Sequence, residues 1–493
     1  MRVFLSSPTG ASSIGVVCAA VLALPAAVPA SAAAARTERP AAAGRGGAVA
    51  GSTQSLPLAP RSRDRALGGA PEQGLYRAHV RNFALVGVVW DDPDIELRGR
   101  VQVRTRSVAT GRWSAWQAVE TREEEHGADP GTAERASGRV RGATAPLWVG
   151  KSDGVDVRVT AGAAGAGKTG TAGKAGGRDT GPYWPLPAGL RLELVDPGDE
   201  TPPWGRPADV PRTGPGTDTT DATDATDTTD TTGVADATNA LDVTSATDAT
   251  VAAYAANTDL APFGATEIPE LDRGATEQEL IRLTGEVPSG KPYIGPRPRI
   301  VTRRGWGADE SLRERGFVYT KKVKAAFVHH TASGNKYTCA QAPSVIRGIY
   351  RYHVKSMGWR DIGYNFLVDK CGTIYEGRAG GAAKAVLGAH TLGFNTNSMG
   401  IAVIGAYGST KPSGAAVTAI ARLTAWKLGL SGADPRAKTY LTSGGGNLYP
   451  KGKSVRLNVI SGHRDGYATD CPGKRLYTRL GTARSSAAKY QGR

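Results

Sequence analysis

The chain is expected to contain a C-terminal α/β domain, with a mixed central sheet flanked by helices. A disordered linker separates it from an N-terminal all-β domain. Three observations carry this expectation. Between about 73 and 198, short runs such as Val101-Gln102-Val103-Arg104 alternate apolar and polar residues, the period of half-buried strands. From 199 the composition narrows to a repeating Thr/Asp/Ala theme with too little apolar surface to offset ordering entropy. Beyond 297, buried-strand runs are interspersed with amphipathic helical stretches. A length of 493 residues also exceeds the usual single domain.

Taken in order, the chain opens with Arg2, a mostly apolar run from Ile14 to Val28, and the small-residue site Ala30-Ser31-Ala32. Residues 1–32 therefore read as a cleavable secretory signal, and the mature protein is expected outside the cell, associated with the wall and without stable membrane insertion. Pro25 breaks the run, and no later stretch reaches the roughly 20 apolar residues that a membrane-spanning helix needs. Residues 33–72, rich in Ala, Gly, Arg and Pro, read as a disordered lead. The β domain (73–198) is expected to place strands at Ala84–Trp90, Val101–Arg106, Leu147–Gly150, Val155–Val159 and Leu190–Val195, with a loose loop near 161–180. Trp113 and Trp116 are expected in its core, with stacking on sugar rings as the alternative. Residues 199–296 read as low-complexity linker and connecting segment, 297–480 as the α/β domain, and 481–493 as a basic tail.

Within the α/β domain, Phe327–His330 reads as a strand and Pro343–Val354 as a helix. Lys370-Cys371-Gly372 lies between two strand-like runs and signals a hairpin. Met399–Gly405 is a further buried strand, and Val417–Leu428 a second helix. From residue 297 onward there are 32 Lys and Arg against 9 Asp and Glu, a balance of +23, larger than the +16 of the whole chain. Such a surface attracts polyanions; for an exported protein, anionic wall polymers are the expected partners, and no nucleic-acid-binding motif accompanies the charge.

The chemistry-bearing residues are expected to converge on one ion. His463 and Cys471 are eight positions apart, the span of one loop folding back, and His329-His330 ends an apolar strand upstream. Imidazoles with a thiolate suit Zn²⁺, and three protein ligands with a fourth position left for water is the catalytic arrangement. Adjacent strand residues point to opposite faces, so His329 and His330 cannot both face one ion. With Cys18 lost in the signal, three cysteines remain; the economical assignment is a Cys339–Cys371 disulfide with Cys471 on the metal.

Six blocks resemble, in order, the peptidoglycan recognition protein and type 2 N-acetylmuramoyl-L-alanine amidase family. They are Ile300–Ala308, Val328–Ala332, Asp361–Phe366, Gly388–Thr391, Asn395–Ile401, and Gly462-His463-Arg464-Asp465 through Cys471-Pro472-Gly473. The resemblance implies a single zinc held by His329, His463 and Cys471, with Tyr364 and Thr469 as catalytic hydrogen-bond donors and His390 and Asn395 as substrate-binding residues. It implies hydrolysis of the amide between N-acetylmuramic acid and the L-alanine of the stem peptide, with peptidoglycan as partner and a monomer as the working unit. A non-catalytic muropeptide-binding module and a cytoplasmic recycling amidase are the alternatives. His330 is expected to be a packed neighbour rather than a ligand.

Overall fold

The computed structural model describes residues 50–61, 69–123, 125–164, 182–198, 245–287 and 289–493. The signal segment, most of the 161–180 loop and the Thr/Asp-rich repeats up to 244 lie outside the described residues.

The N-terminal domain is an antiparallel sheet folded over on itself. Its hinge is the strand Leu147–Ala161, which the sequence suggests as two separate runs. The first half of this strand pairs with Phe83–Trp90, while the second half lies between Glu72–Arg77 and Gly99–Ser107. Gly150, at φ 73°, sits where the strand passes between layers. Val86, Val88 and Trp90 face Val101, Val103, Val155 and Val157 across the resulting core. Trp113 and Trp116 lie outside that core, half-buried, layered with Tyr76 and the guanidinium groups of Arg104 and Arg158. Part of the expected disordered lead is ordered: Ser52–Pro57 pairs with Arg191–Asp196, a contact made by backbone rather than by an apolar pattern.

The C-terminal domain is built on a seven-stranded mixed sheet. Next to one edge of it, Ala325–His330 runs parallel to Ser398–Val403 on one side and to the edge strand Ile460–Gly462 on the other. Every residue of Ala325–His330 is buried, because helices cover both sheet faces. The expected hairpin is present, Phe366–Val368 against Ile374–Glu376, and the Cys339–Cys371 disulfide pins its turn. The two expected helices run over Ala342–Arg351 and Gly414–Gly429, the second capped by the Ser413 hydroxyl. Thr424, mid-helix, bonds back to the Ile420 carbonyl.

Two boundaries differ from those expected. The connecting segment folds as helices at Ser245–Ala255 and Arg273–Thr284. Asn257, just after the first, donates to the buried Glu376 carboxylate, so this stretch is part of the domain rather than a tether. The expected basic tail is a helix, Leu480–Gln491, whose Ala483 and Ala487 are buried in the main core while its charges face outward.

The two domains share a core. Phe83–Trp90 is buried along its whole length because its second face, with Ala84, Leu85 and Val89, packs against Val345 and Ile349 of the helix Ala342–Arg351. The approach is close: a Cβ on Gly348 would come to 3.1 Å from Leu85, and one on Gly87 would overlap the Tyr352 ring. The Tyr352 hydroxyl donates to the Thr144 carbonyl, and Arg347 to the Pro197 carbonyl. The β domain is therefore a fixed platform beside the sheet.

Candidate metal centre

The strand Ala325–His330 and its edge neighbour Ile460–Gly462 end side by side. His329 stands near the end of the first, and His463 opens the turn that follows the second. The chain then loops back, clamped by the hydrogen bond from Arg464 N to the Cys471 carbonyl, so that Cys471 reaches the same point. Crevices at the carboxyl ends of parallel strands are where α/β sheets bind ligands. His329, His463 and Cys471 are all fully buried.

The His-His pair divides as strand geometry requires. His329 faces the cluster, with Nε2 set 3.3 Å from the Thr391 hydroxyl. His330 turns away; its Nδ1 accepts from Tyr407 N at 3.2 Å, while its own backbone N–H donates to Cys471 Sγ at 3.4 Å.

A fourth donor completes the cluster, and sequence reading did not find it. His126 comes from the N-terminal domain, on the loop between Gln117–Val119 and Gly142–Ala143. The donor atoms of His126, His329, His463 and Cys471 lie within 4.8 Å of one another. Sγ of Cys471 is 3.7 Å from Nε2 of His126 and 3.8 Å from Nδ1 of His329. Tetrahedral zinc with bonds of about 2.3 Å to sulfur and about 2.0–2.1 Å to nitrogen sets such an edge at about 3.6 Å. Both ring nitrogens of His463 are buried without a hydrogen-bond partner. The donor set and its spacing therefore fit Zn²⁺.

Burial sets the protonation states. It lowers the pKa of His126 to about 3 and those of His329 and His463 well below the usual value, so all three imidazoles are neutral and present lone pairs. Burial, helped by the neighbouring Glu125 carboxylate, pushes the Cys471 thiol up. A bound cation reverses that preference, because a coordinated thiol is deprotonated outright. Nδ1 of His126 lies 3.6 Å from the Glu123 carboxylate, beyond hydrogen-bond reach.

The remaining expected site residues divide into two groups. Tyr364 is buried with its ring 5.5 Å from that of His329 and 5.8 Å from that of His126. Burial, reinforced by Glu123, raises its pKa well above the usual value, so it remains an O–H donor. The hydroxyl of Thr469 accepts from Cys471 N at 2.9 Å and donates to the Glu125 carboxylate. His390, expected to bind substrate, is fully buried, with Nδ1 3.0 Å from the Thr391 hydroxyl behind His329. Asn395 is also buried: its carbonyl accepts from the backbone of His390 and Thr391, and its amide donates to Gly127 O and Asp129. His126 carries one sequence signal in hindsight, a histidine closing the acidic run Glu123-Glu124-Glu125 inside a β domain.

Two family models match the chain. One, described as Rv3811 N-terminal galactose-binding domain-like, matches residues 30–178 and supplies a family for the β domain where sequence reading had none. The other, described as N-acetylmuramoyl-L-alanine amidase, matches residues 319–474. Over 183 residues the chain is 31% identical to peptidoglycan-recognition protein SC2 of Drosophila simulans, covering 37% of this chain and 85% of that protein. Over 195 residues it is 33% identical to the N-acetylmuramoyl-L-alanine amidase of Homo sapiens, covering 39% of this chain and 28% of that one. The structure of wild-type Drosophila PGRP-LB is 25% identical with a TM-score of 0.30, over 37% of this chain and 92% of its own.

Proposed function

Because the chain belongs to the peptidoglycan-recognition protein and N-acetylmuramoyl-L-alanine amidase family, we propose that it is an exported zinc-dependent hydrolase. Its substrate is the amide between N-acetylmuramic acid and the L-alanine of the stem peptide. The observation that carries this reading is the convergence of His329, His463 and Cys471, with neutral Tyr364 beside them, on one buried point at the strand ends.

Zinc held by these three residues supplies Lewis acidity toward the scissile carbonyl and makes water nucleophilic near neutral pH. The protein's own groups do the rest. Water oxygen adds to the carbonyl carbon, and negative charge gathers on the carbonyl oxygen, where the Tyr364 phenol donates a hydrogen bond. Burial keeps that phenol protonated throughout the working range. The Thr469 hydroxyl, once free of Glu125, is a second donor on the Cys471 side. The carbon–nitrogen bond then breaks, and a proton from the attacking water leaves on the alanine nitrogen. Thr391 holds the His329 ring in orientation, and His390 supports Thr391 rather than substrate. The Cys339–Cys371 disulfide and the basic C-terminal domain suit a protein working in the oxidising exterior against an anionic wall.

The test is mass spectrometry of peptidoglycan digested with the purified full chain, wild type and His126→Ala, with chelator and with zinc add-back. Stem peptides with a free N-terminal alanine, lost with chelator and restored by zinc, are the expected outcome. Intact muropeptides from both proteins, co-sedimenting with them, would instead establish a non-catalytic binding module. One observation favours that second reading, the filling of the fourth ligand position by His126.

A further inference from the structure

The loop that delivers His126 does more than add a ligand. In the short span from Glu120 to Glu134 it also engages two of the expected site residues, Thr469 and Asn395. Glu125 accepts from Thr469 through its side chain, and from Leu392 N through its backbone carbonyl at 3.1 Å. Asp129 accepts from Asn395 and from Gly393 N, each at under 2.8 Å. Gly127 O takes the other Asn395 contact at 2.8 Å. Glu134 grips Arg378 through both carboxylate oxygens at 2.9 Å and accepts from Arg360 N at 3.1 Å. The C-terminal domain thus presents donors, and the loop brings the acceptors.

Catalytic zinc keeps one position for water, whereas four protein donors make a closed site. Here the fourth donor has the Glu123 carboxylate 3.6 Å from its Nδ1. Among its described residues the loop carries no helix or strand, and both its ends are rooted in a domain that shares a core with the helix Ala342–Arg351.

We propose that residues 120–134 form an intramolecular plug that closes the metal site with His126 as fourth ligand, so that the chain is latent until the loop withdraws. The metal-ligand part of this proposal rests on the zinc reading above; the plug contacts do not depend on hydrolysis.

The test uses the full chain loaded with Co²⁺ in place of zinc, with azide as a small exogenous ligand. The wild-type visible spectrum is expected to be four-coordinate and indifferent to azide. In His126→Ala, and in His126→Gln, which keeps the side-chain bulk, azide should bind and shift the spectrum. Cobalt affinity, measured by chelator competition, should fall in both variants. The loss should be no smaller than the roughly 10- to 100-fold that follows removal of a ligand's hydrogen-bonding partner. Amide hydrolysis by the zinc forms of both variants should exceed wild type by about tenfold or more, since the competent fraction scales the apparent rate. A wild-type spectrum that already responds to azide, or variants with unchanged affinity and spectrum, would overturn the plug. Spectra that differ as expected while neither protein cleaves peptidoglycan would sink the hydrolase reading and leave the closed site standing.

Discussion

The candidate metal centre has a floor and a roof, and they are made differently. The floor is His329, His463 and Cys471, carried on the ends of two adjacent parallel strands and a loop clamped to them. The roof is His126 on an irregular loop held by carboxylates against donors. Sheet hydrogen bonds and a core of fully buried residues fix the floor. The roof's hold is chiefly polar, made of buried hydrogen bonds and an ion pair. A rigid floor under a roof that withdraws as proposed would make the site both well formed and controllable.

The sharpest way to break the floor is Cys471→Ala. Made together with His126→Ala, so that two imidazoles remain and no three-histidine site can hold the ion, it should bring zinc content by elemental analysis to background. Metal catalysis contributes several kcal/mol to such a reaction, so hydrolysis should drop by about a thousandfold or more. Full activity in a metal-free variant would remove zinc from the reading.

Breaking the roof should do the opposite. Glu134 and Arg378 are both buried, and the pair is bidentate. In Glu134→Ala the guanidinium remains buried without its partner, a change that costs about 3–5 kcal/mol in comparable pairs. Melting temperature should fall, amide hydrogen exchange should accelerate across 120–134 ahead of the sheet, and hydrolysis should rise. A variant that melts lower but gains neither exchange nor activity would mean that the pair braces the fold and not the loop.

The floor was legible in the sequence and the roof was not, and the reason is physical. A strand ending in His329-His330 and a loop running from His463 to Cys471 are local patterns, and alternation tells the two histidines apart once one of them is chosen. Cysteine parity, with Cys471 assigned to the metal, led to the Cys339–Cys371 bridge. His126 reaches the site across a domain boundary and a low-complexity stretch, through a loop that has no period. The same blindness hid Ser52–Pro57, whose pairing is made by backbone, and Ser245–Ala255, whose Ala/Thr composition carries little amphipathic signal. Leu480–Gln491 was hidden differently: its buried face is mainly alanine, which reads as tail until the groove that receives it is known.

Tyr364 stands between floor and roof, and its smaller expected effect sharpens the contrast. Its ring is nearly equidistant from those of His329 and His126, so it could be a wall of the site or a donor to the reaction. Tyr364→Phe keeps the wall and deletes the donor. A structural role predicts unchanged turnover, since the phenol is buried among rings and the ring remains. A catalytic role predicts about a hundredfold loss in kcat, the lower end of what removing one oxyanion donor costs. Zinc content should stay at wild-type levels, and so should the azide response of the cobalt form. The variant is best compared in the His126→Ala background, where loop opening no longer limits the rate. Because burial and Glu123 hold the phenol's pKa well above 10, the loss should be constant across neutral and mildly alkaline pH. A loss that instead vanished as pH rose would point to a tyrosine that ionises in the working range, against what its burial dictates.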